Sequence, residues 1–342
     1  MLDQFFAWYN GLTDSLWGSL LLFAVGVVFL IKGGDWFVDS AVGIAKRFRV
    51  PEIIIGATIV SIGTTLPEVM VSVTAAINQN GAIAYGNAIG SIICNTALIA
   101  ALTIAIRPAP VNKKTLVTPV AFFFASAAIY LVAAYLFGRF DRWLGIVMLL
   151  VFGVYMATTI YKGFKNQEPT ASKEEEESRS GSMLKYLLVL AASAALIAVG
   201  ADMLEGSSVS LATMAGIPTE VVGVTVVALC TSLPELVVAV TALLKGHGAL
   251  SLGNIIGANI FNLVLVSGAA VTISPFLIPE GSKLFGFNTS QLVELPVMLC
   301  VMALMTLPAL FKGKLHRWQG VTLLGIYGAF VVLQVLIALG AV

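Results

Sequence analysis

The chain has 342 residues, of which 58% are apolar and 11% charged, with a formal net charge of +1. Soluble domains carry nearer a quarter charged residues, so a soluble globular protein is excluded. A charge this close to zero gives no footprint for nucleic acid. Three cysteines, Cys94, Cys230 and Cys300, all fall in apolar segments. They suit buried small hydrophobes rather than a disulfide framework or a metal site. The N-terminus, MLDQFFAWYN, lacks a basic n-region, so no cleaved signal peptide is expected.

Apolar runs long enough to cross a bilayer recur along the whole chain. In order they cover residues 16–38, 51–77, 85–106, 115–137, 143–162, 184–205, 219–244, 249–272, 291–311 and 318–340. The expected fold class is an all-α polytopic membrane protein with ten transmembrane helices. One clearly hydrophilic stretch, residues 164–182, divides the spans five and five and holds four consecutive acids, Glu174 to Glu177. It reads as a solvated linker between a first membrane region, 1–163, and a second, 183–342.

Inside the apolar spans a polar sentence is written twice. Residues 56–96 read GATIVSIGTTLPEVMVSVTAAINQNGAIAYGNAIGSIICNT, and residues 223–263 read GVTVVALCTSLPELVVAVTALLKGHGALSLGNIIGANIFNL. They align without a gap at an offset of 167, with 19 of 41 positions identical. Gly33 and Asp35 match Gly200 and Asp202 at the same offset, and Arg142-Trp143 is echoed by Arg317-Trp318. With five spans per half, the second copy enters the membrane upside down, the inverted repeat of secondary transporters.

Orientation follows from the basic residues. Fifteen Lys and Arg flank the loops after odd-numbered spans, against three (Arg139, Arg142 and Lys283) on the other side. The positive-inside bias places both termini outside and the acidic linker in the cytoplasm.

Each copy carries one glutamate, Glu68 or Glu235, where lipid disfavours charge. An intramembrane ionisable residue is a functional candidate by default. Its bland alternative is a buried acid paired with a base, but Lys32 is the one basic residue inside a span, near its end. Thr64 and Thr65 precede Glu68 by four and three residues, which puts their hydroxyls on one helix face with the carboxylate; Thr231, Ser232 and Glu235 repeat the arrangement. Pro67 and Pro234 remove intrahelical hydrogen bonds, so the helices are expected to break there and free carbonyls near Gly63 and Cys230. The following spans add polar stripes: Asn87, Ser91 and Asn95, then Asn254 and Asn262. Gly86-x-x-x-Gly90 and Gly253-x-x-x-Gly257 allow close helix approach. The inventory is all oxygen, which suits Ca2+ rather than softer metals.

GTTLPE with GNAIGSIICN, then CTSLPE with GNIIGANIFN, resembles the paired alpha-repeats of the cation/Ca2+ exchanger superfamily, above all the bacterial inner-membrane Na+/Ca2+ antiporter branch. The resemblance implies a secondary active antiporter. Glu68 and Glu235 would ligate Ca2+ and Na+ in turn, joined by Thr64, Thr65, Ser91 and Asn95 and by Thr231, Ser232 and Asn262. It implies no enzyme activity and no resident cofactor; the partners are the two cations as substrates and the lipid bilayer. It also implies that tilted spans 1 and 6 slide across a more fixed core, and the glycines near Gly33, Gly34 and Gly200 are compatible with this. The chain departs from archaeal exchangers at Ala258, where they carry serine, and at Asn262, where they carry aspartate. The site charge is then at most minus two, matched by one Ca2+ or two Na+. Three other readings compete. A Ca2+/H+ antiporter would cycle a proton on a glutamate, but that branch usually carries a different motif. An intramembrane acid hydrolase would use the carboxylate pair and leaves the repeated threonines and asparagines unexplained. A passive channel would need a continuous polar pore, of which there is no sign.

Overall fold

The computed structural model describes residues 11, 13, 15–108, 110–165, 183–215, 232–279, 283–284 and 287–338, and the statements below concern those. With no water in hydrocarbon to satisfy a backbone, each apolar run closes its hydrogen bonds within itself as a helix. Nine helices are long and apolar enough to cross a membrane: α1 Leu16–Phe48, α2 Glu52–Ile77, α3 Gly81–Ile106, α4 Lys113–Phe137, α5 Arg142–Lys165, α6 Met183–Met214, α8 Gly248–Ile273, α9 Ser290–Lys312 and α10 Arg317–Ala338. Between α6 and α8 lies the shorter apolar α7, Leu233–Leu244. These are the ten expected helices, with the first half of the seventh span outside the described residues, as are Cys230, Thr231 and the acidic linker.

Two helices run well past their expected ends. α1 spans 33 residues, about 50 Å at 1.5 Å per residue, against a hydrocarbon core of about 30 Å. The apolar run ends near residue 38, where Asp39 and the basic residues from Lys46 to Arg49 follow. Lys245 takes up the carboxylates of Asp35 and Asp39, at 3.4 and 2.7 Å, and the helix continues to a left-handed cap at Arg49 (φ 55°). α6 likewise passes its polar end, because Ser207 and Thr213 donate to carbonyls of their own helix at Met203 and Val209.

The expected break at Pro67 is not there. The helix runs unbroken from Ser61 to Ile77, and the irregular turn is a π-helical segment about two to three turns before the proline, Gly56–Val60. One missing N–H costs a single rung of the ladder, and neighbouring helices absorb such losses in membrane proteins. Pro234 stands in the first turn of α7, where its missing N–H is no loss. Cys300 is another departure: it is exposed on α9, while Cys94 is buried.

The two halves are inverted repeats that exchange contacts. α1 packs on α6; α2 packs on α8 as α7 packs on α3; α5 packs on α8 as α10 packs on α3. The connections repeat this in detail. Strand β1 (Arg139–Phe140) pairs antiparallel with β2 (Phe276–Leu277), Arg139 opposite Leu277. In the other half Lys314 forms an antiparallel bridge with Pro110. Ile278 N–H donates to Gly138 O at 3.0 Å, and Val111 N–H to Gly313 O at 2.9 Å. Gly138 (φ 64°) and Gly313 (φ 71°) supply the left-handed turns that make both returns. Such reciprocity, one contact made twice with the partners exchanged, is the signature of a twofold axis.

The apolar interior divides in two. The larger cluster joins α3, α4, α5, α8, α9 and α10 around Phe123, Tyr155, Ile260 and Met302. The smaller joins α1 and α6 to parts of α2 and α7 through Phe37, Ile44, Ile197 and Val238.

Candidate cation site

α8 reaches the centre because it presents glycine to α2. A Cβ on Gly253 would collide with Ile53 O, and one on Gly257 with Ser61 Oγ and the Ala57 backbone. Contact at this range sets Asn254 against α2. Ser61 Oγ donates to Asn254 O at 3.0 Å and to Gly56 O at 2.8 Å, and Thr64 Oγ1 donates to Asn254 Oδ1 at 3.2 Å. Gly86 and Gly90 meet no described atom within 4 Å; the repeat-equivalent helix stretch, residues 220–228, lies outside the described residues.

Glu68 and Glu235 are both fully buried. Their carboxyls adjoin closely enough to interact with each other. Thr65 Oγ1 donates to Glu235 Oε1 at 3.4 Å. On the α3 side, Asn87 Nδ2 donates to Glu68 O at 3.1 Å and to Ser72 Oγ at 2.9 Å. Among the described residues no Lys, Arg or His forms an ion pair with either glutamate.

On the helices that carry and adjoin this pair, buried polar atoms lack hydrogen-bond partners among the described residues. They are both carboxylate oxygens of Glu68, Oε2 of Glu235, the hydroxyls of Ser91 and Ser232, and both amide atoms of Asn95 and of Asn262. All six residues are at most 3% exposed. Buried polar groups in folded proteins are almost always paired, and each orphan is costly. Six side chains carry such atoms, all of them residues expected at the site, and their oxygens are of the type that a hard cation takes as ligands. The backbone is irregular at the same places. Asn95 opens the π-helical segment Asn95–Ala100 and Asn262 opens Asn262–Val266. Such π-turns gather at functional sites. The structure thus brings together Glu68, Glu235 and Thr65, turns Thr64 toward Asn254, and leaves Ser91, Asn95, Ser232 and Asn262 with free polar atoms.

Sequence reasoning missed three polar groups. Asn254 appeared as part of a stripe but not as the partner of Thr64. Asn259 donates to Thr96 Oγ1 at 2.7 Å and to Met302 Sδ at 3.2 Å; it falls off the four-residue spacing that drew attention to its neighbours. Glu294, a third glutamate in a membrane helix, accepts from Gln334 Nε2 at 3.1 Å. It has no repeat mate, and its presence inside a predicted span was the available signal.

A ten-helix bundle whose two inverted repeats each send a buried carboxylate to the centre is the build of an ion-exchanging membrane transporter, not of an enzyme. The chain belongs to the sodium/calcium exchanger protein family, which it matches twice, over residues 18–161 and 185–336. It is 31% identical to the sodium/calcium exchanger MaX1 of Methanosarcina acetivorans, over 92% of this chain and 97% of that one. It is 32% identical to the inner membrane protein YrbG of Escherichia coli, over 74% and 79% of the two chains. Its fold superimposes on a structure of the sodium-calcium exchanger NCX_Mj soaked with Na+ and Sr2+ with a TM-score of 0.77. There the identity is 28%, and 92% of this chain and 98% of that one are covered.

Proposed function

We propose that this protein is an antiporter that exchanges Ca2+ for Na+ across the cell membrane by alternating access. The observation that carries the reading is the set of unpartnered buried polar atoms on Glu68, Glu235, Ser91, Asn95, Ser232 and Asn262. Two carboxylates hold at most two negative charges, so one Ca2+ or two Na+ neutralise them. Overlapping oxygens make the cations compete, and one leaves as the other enters. The division of the apolar interior supports alternating access: α1 and α6 pack chiefly on each other and on α2 and α7, the helices that carry the glutamates. A unit joined to the larger cluster mainly across the site is free to move against it, exposing the cations to one side and then the other. The lysine-rich helix ends face the cytoplasm in this reading, and both termini lie outside.

The test is Ca2+ uptake by proteoliposomes under imposed gradients. An outward Na+ gradient drives Ca2+ in, and a pH gradient alone does little. If a pH gradient drives uptake as well as Na+ does, the adjoining carboxyls exchange protons and the chain is a Ca2+/H+ antiporter. Uptake that needs no counter-ion gradient identifies a channel.

A further inference from the structure

Away from the glutamates, a shallow cleft opens where the lysine-bearing ends of α4 and α5 meet the ends of α2 and α8. Its polar lining is Lys114, Thr115 and Thr118 from α4, and Thr159 and Lys162 from α5.

Four observations give the cleft a preference. Neither lysine is neutralised: among the described residues Lys114 and Lys162 take part in no ion pair, and the acid at the start of α2, Glu52, is engaged by His247 at 2.8 Å. Lys162 is held in place, because its Nζ donates to Thr118 Oγ1 at 2.7 Å across the helix pair. Thr159 is 2% exposed, lines the cleft and has a hydroxyl without a partner. Finally, the cleft lies at the N-terminus of α4, where Asn112 Oδ1 caps Lys114 N–H at 3.0 Å. That end of a helix carries positive potential and favours an anion. The Thr115 hydroxyl is spent on Asn112 O at 2.9 Å, but two ammonium groups, the hydroxyls of Thr118 and Thr159 and a helix N-terminus together form a phosphate-binding chemistry.

The surroundings decide which phosphate. Val117 is 51% exposed and Tyr161 66%, and Phe164 is exposed beside them. These apolar side chains flank the cleft on the same two helices, where acyl chains would lie. Basic pockets between helix ends on the cytoplasmic side are known receptacles for anionic lipid headgroups. We propose that this cleft binds the phosphate of an anionic phospholipid, such as phosphatidylglycerol, in the leaflet at the lysine-rich face. The headgroup ties α4 and α5 to the α2–α8 contact that builds the cation site. A neutral lipid such as phosphatidylcholine is disfavoured by its own ammonium group facing two lysines.

The experiment is native mass spectrometry of the full-length protein released from micelles holding equal amounts of phosphatidylglycerol and phosphatidylcholine. Wild type retains phosphatidylglycerol selectively. Lys114→Ala with Lys162→Ala loses this retention by roughly thirtyfold, from about one contact's worth of lipid attraction per lysine. Thr159→Val, which keeps shape and both charges, reduces it several-fold. A pair of the same charge outside the cleft, Lys312→Ala with Lys314→Ala, leaves it unchanged, and circular dichroism confirms that every variant is folded. Three results overturn the proposal. In one, the Lys114/Lys162 variant or the Thr159 variant keeps wild-type selectivity, which leaves surface charge alone. In another, 10 mM inorganic phosphate strips the lipid adduct, which makes the ligand a soluble anion (roughly the millimolar range of weak sites). In the third, lipid is retained only after Glu174 to Glu177 are changed to Gln, which makes the acidic linker the natural occupant.

Discussion

Arg142 and Arg317 make the same contact in opposite halves of the molecule. Arg142, at the start of α5, donates from Nε to Thr272 O at 2.9 Å and from Nη2 to Ile273 O at 3.4 Å, at the end of α8. Arg317, at the start of α10, donates from Nη2 to Ile106 O at 3.3 Å, at the end of α3. α3 and α8 carry the second motif of each repeat, and their last carbonyls have no intrahelical donors. Each arginine satisfies these carbonyls and opposes the negative end of the helix dipole. The helices stay close one turn further on, where Gly145 meets Gly268 and Thr272, and Gly320 meets Ala101 and Ala105.

Arg142→Ala and Arg317→Ala should therefore each lower stability by about 1–2 kcal/mol, the worth of a charged hydrogen bond at a partly exposed site. Thermal unfolding in detergent measures it. The sites lie at opposite ends of the bundle, so the double variant should show the sum. A loss in the pair much larger than the sum would mean that the two caps are coupled.

Glu68→Gln and Glu235→Gln keep shape and remove one of two buried charges. Ca2+ affinity at oxygen sites is set largely by ligand charge, so apparent affinity for Ca2+ should fall on the order of a hundredfold in each. Radiolabelled Ca2+ flux at matched expression reads this out. Wild-type flux in either variant would remove that glutamate from the site.

Much of this site was legible because lipid makes polarity expensive. A carboxylate, a threonine pair or an asparagine stripe stands out against 58% apolar residues, and the repeat doubles each signal. Helix boundaries were less legible. The apolar run of the first span stops near residue 38, whereas the helix goes on to Phe48 past Asp39, whose carboxylate pairs with Lys245 of the other half. Pro67 read as a break, whereas the backbone departs from α geometry at Gly56, Asn95 and Asn262, where no residue type announces a π-turn. Asn259 and Glu294 lacked repeat mates, so nothing amplified them.

The close contact of α8 with α2 gives a steric prediction. Gly257→Val pushes a branched side chain into Ser61 and the Ala57 backbone. Overpacking of this kind costs about 1–3 kcal/mol, and it separates Asn254 from Thr64. Both the melting temperature and Ca2+ flux should fall. Gly153→Val, in α5 with nothing within 4 Å, should leave both near wild type. Equal behaviour of the two variants would refute the role of Gly257 as a contact glycine.

Orientation is open to labelling. In a chain with its three cysteines replaced by serine, Ser172→Cys in the acidic linker should react with an impermeant maleimide only from the cytoplasm. Thr213→Cys, exposed near the end of α6, should react only from outside. The reverse pattern would turn the protein over and move the lipid cleft to the outer leaflet.

Asn262 separates a ligand from a packing residue most sharply. It is fully buried, both amide atoms lack partners, and it opens a π-turn at the position equivalent to Asn95. Leucine has the same branching and number of side-chain heavy atoms, with no oxygen. If Asn262 is a cation ligand, Asn262→Leu removes a coordinating group and Ca2+ flux falls by roughly tenfold, about one good oxygen contact. Stability should not fall with it. A buried polar group without a partner costs free energy, and an apolar replacement removes that cost. The melting temperature without cations should therefore hold or rise, while the added protection by Ca2+ shrinks. Asn259 provides the contrast. Its amide donates to Thr96 and to Met302, so Asn259→Leu leaves Thr96 with fewer partners and lowers stability by about 1–3 kcal/mol. Normal flux and unchanged Ca2+ protection in Asn262→Leu would make Asn262 a packing residue and reduce the site to the contributions of its two glutamates, Asn95 and the hydroxyls.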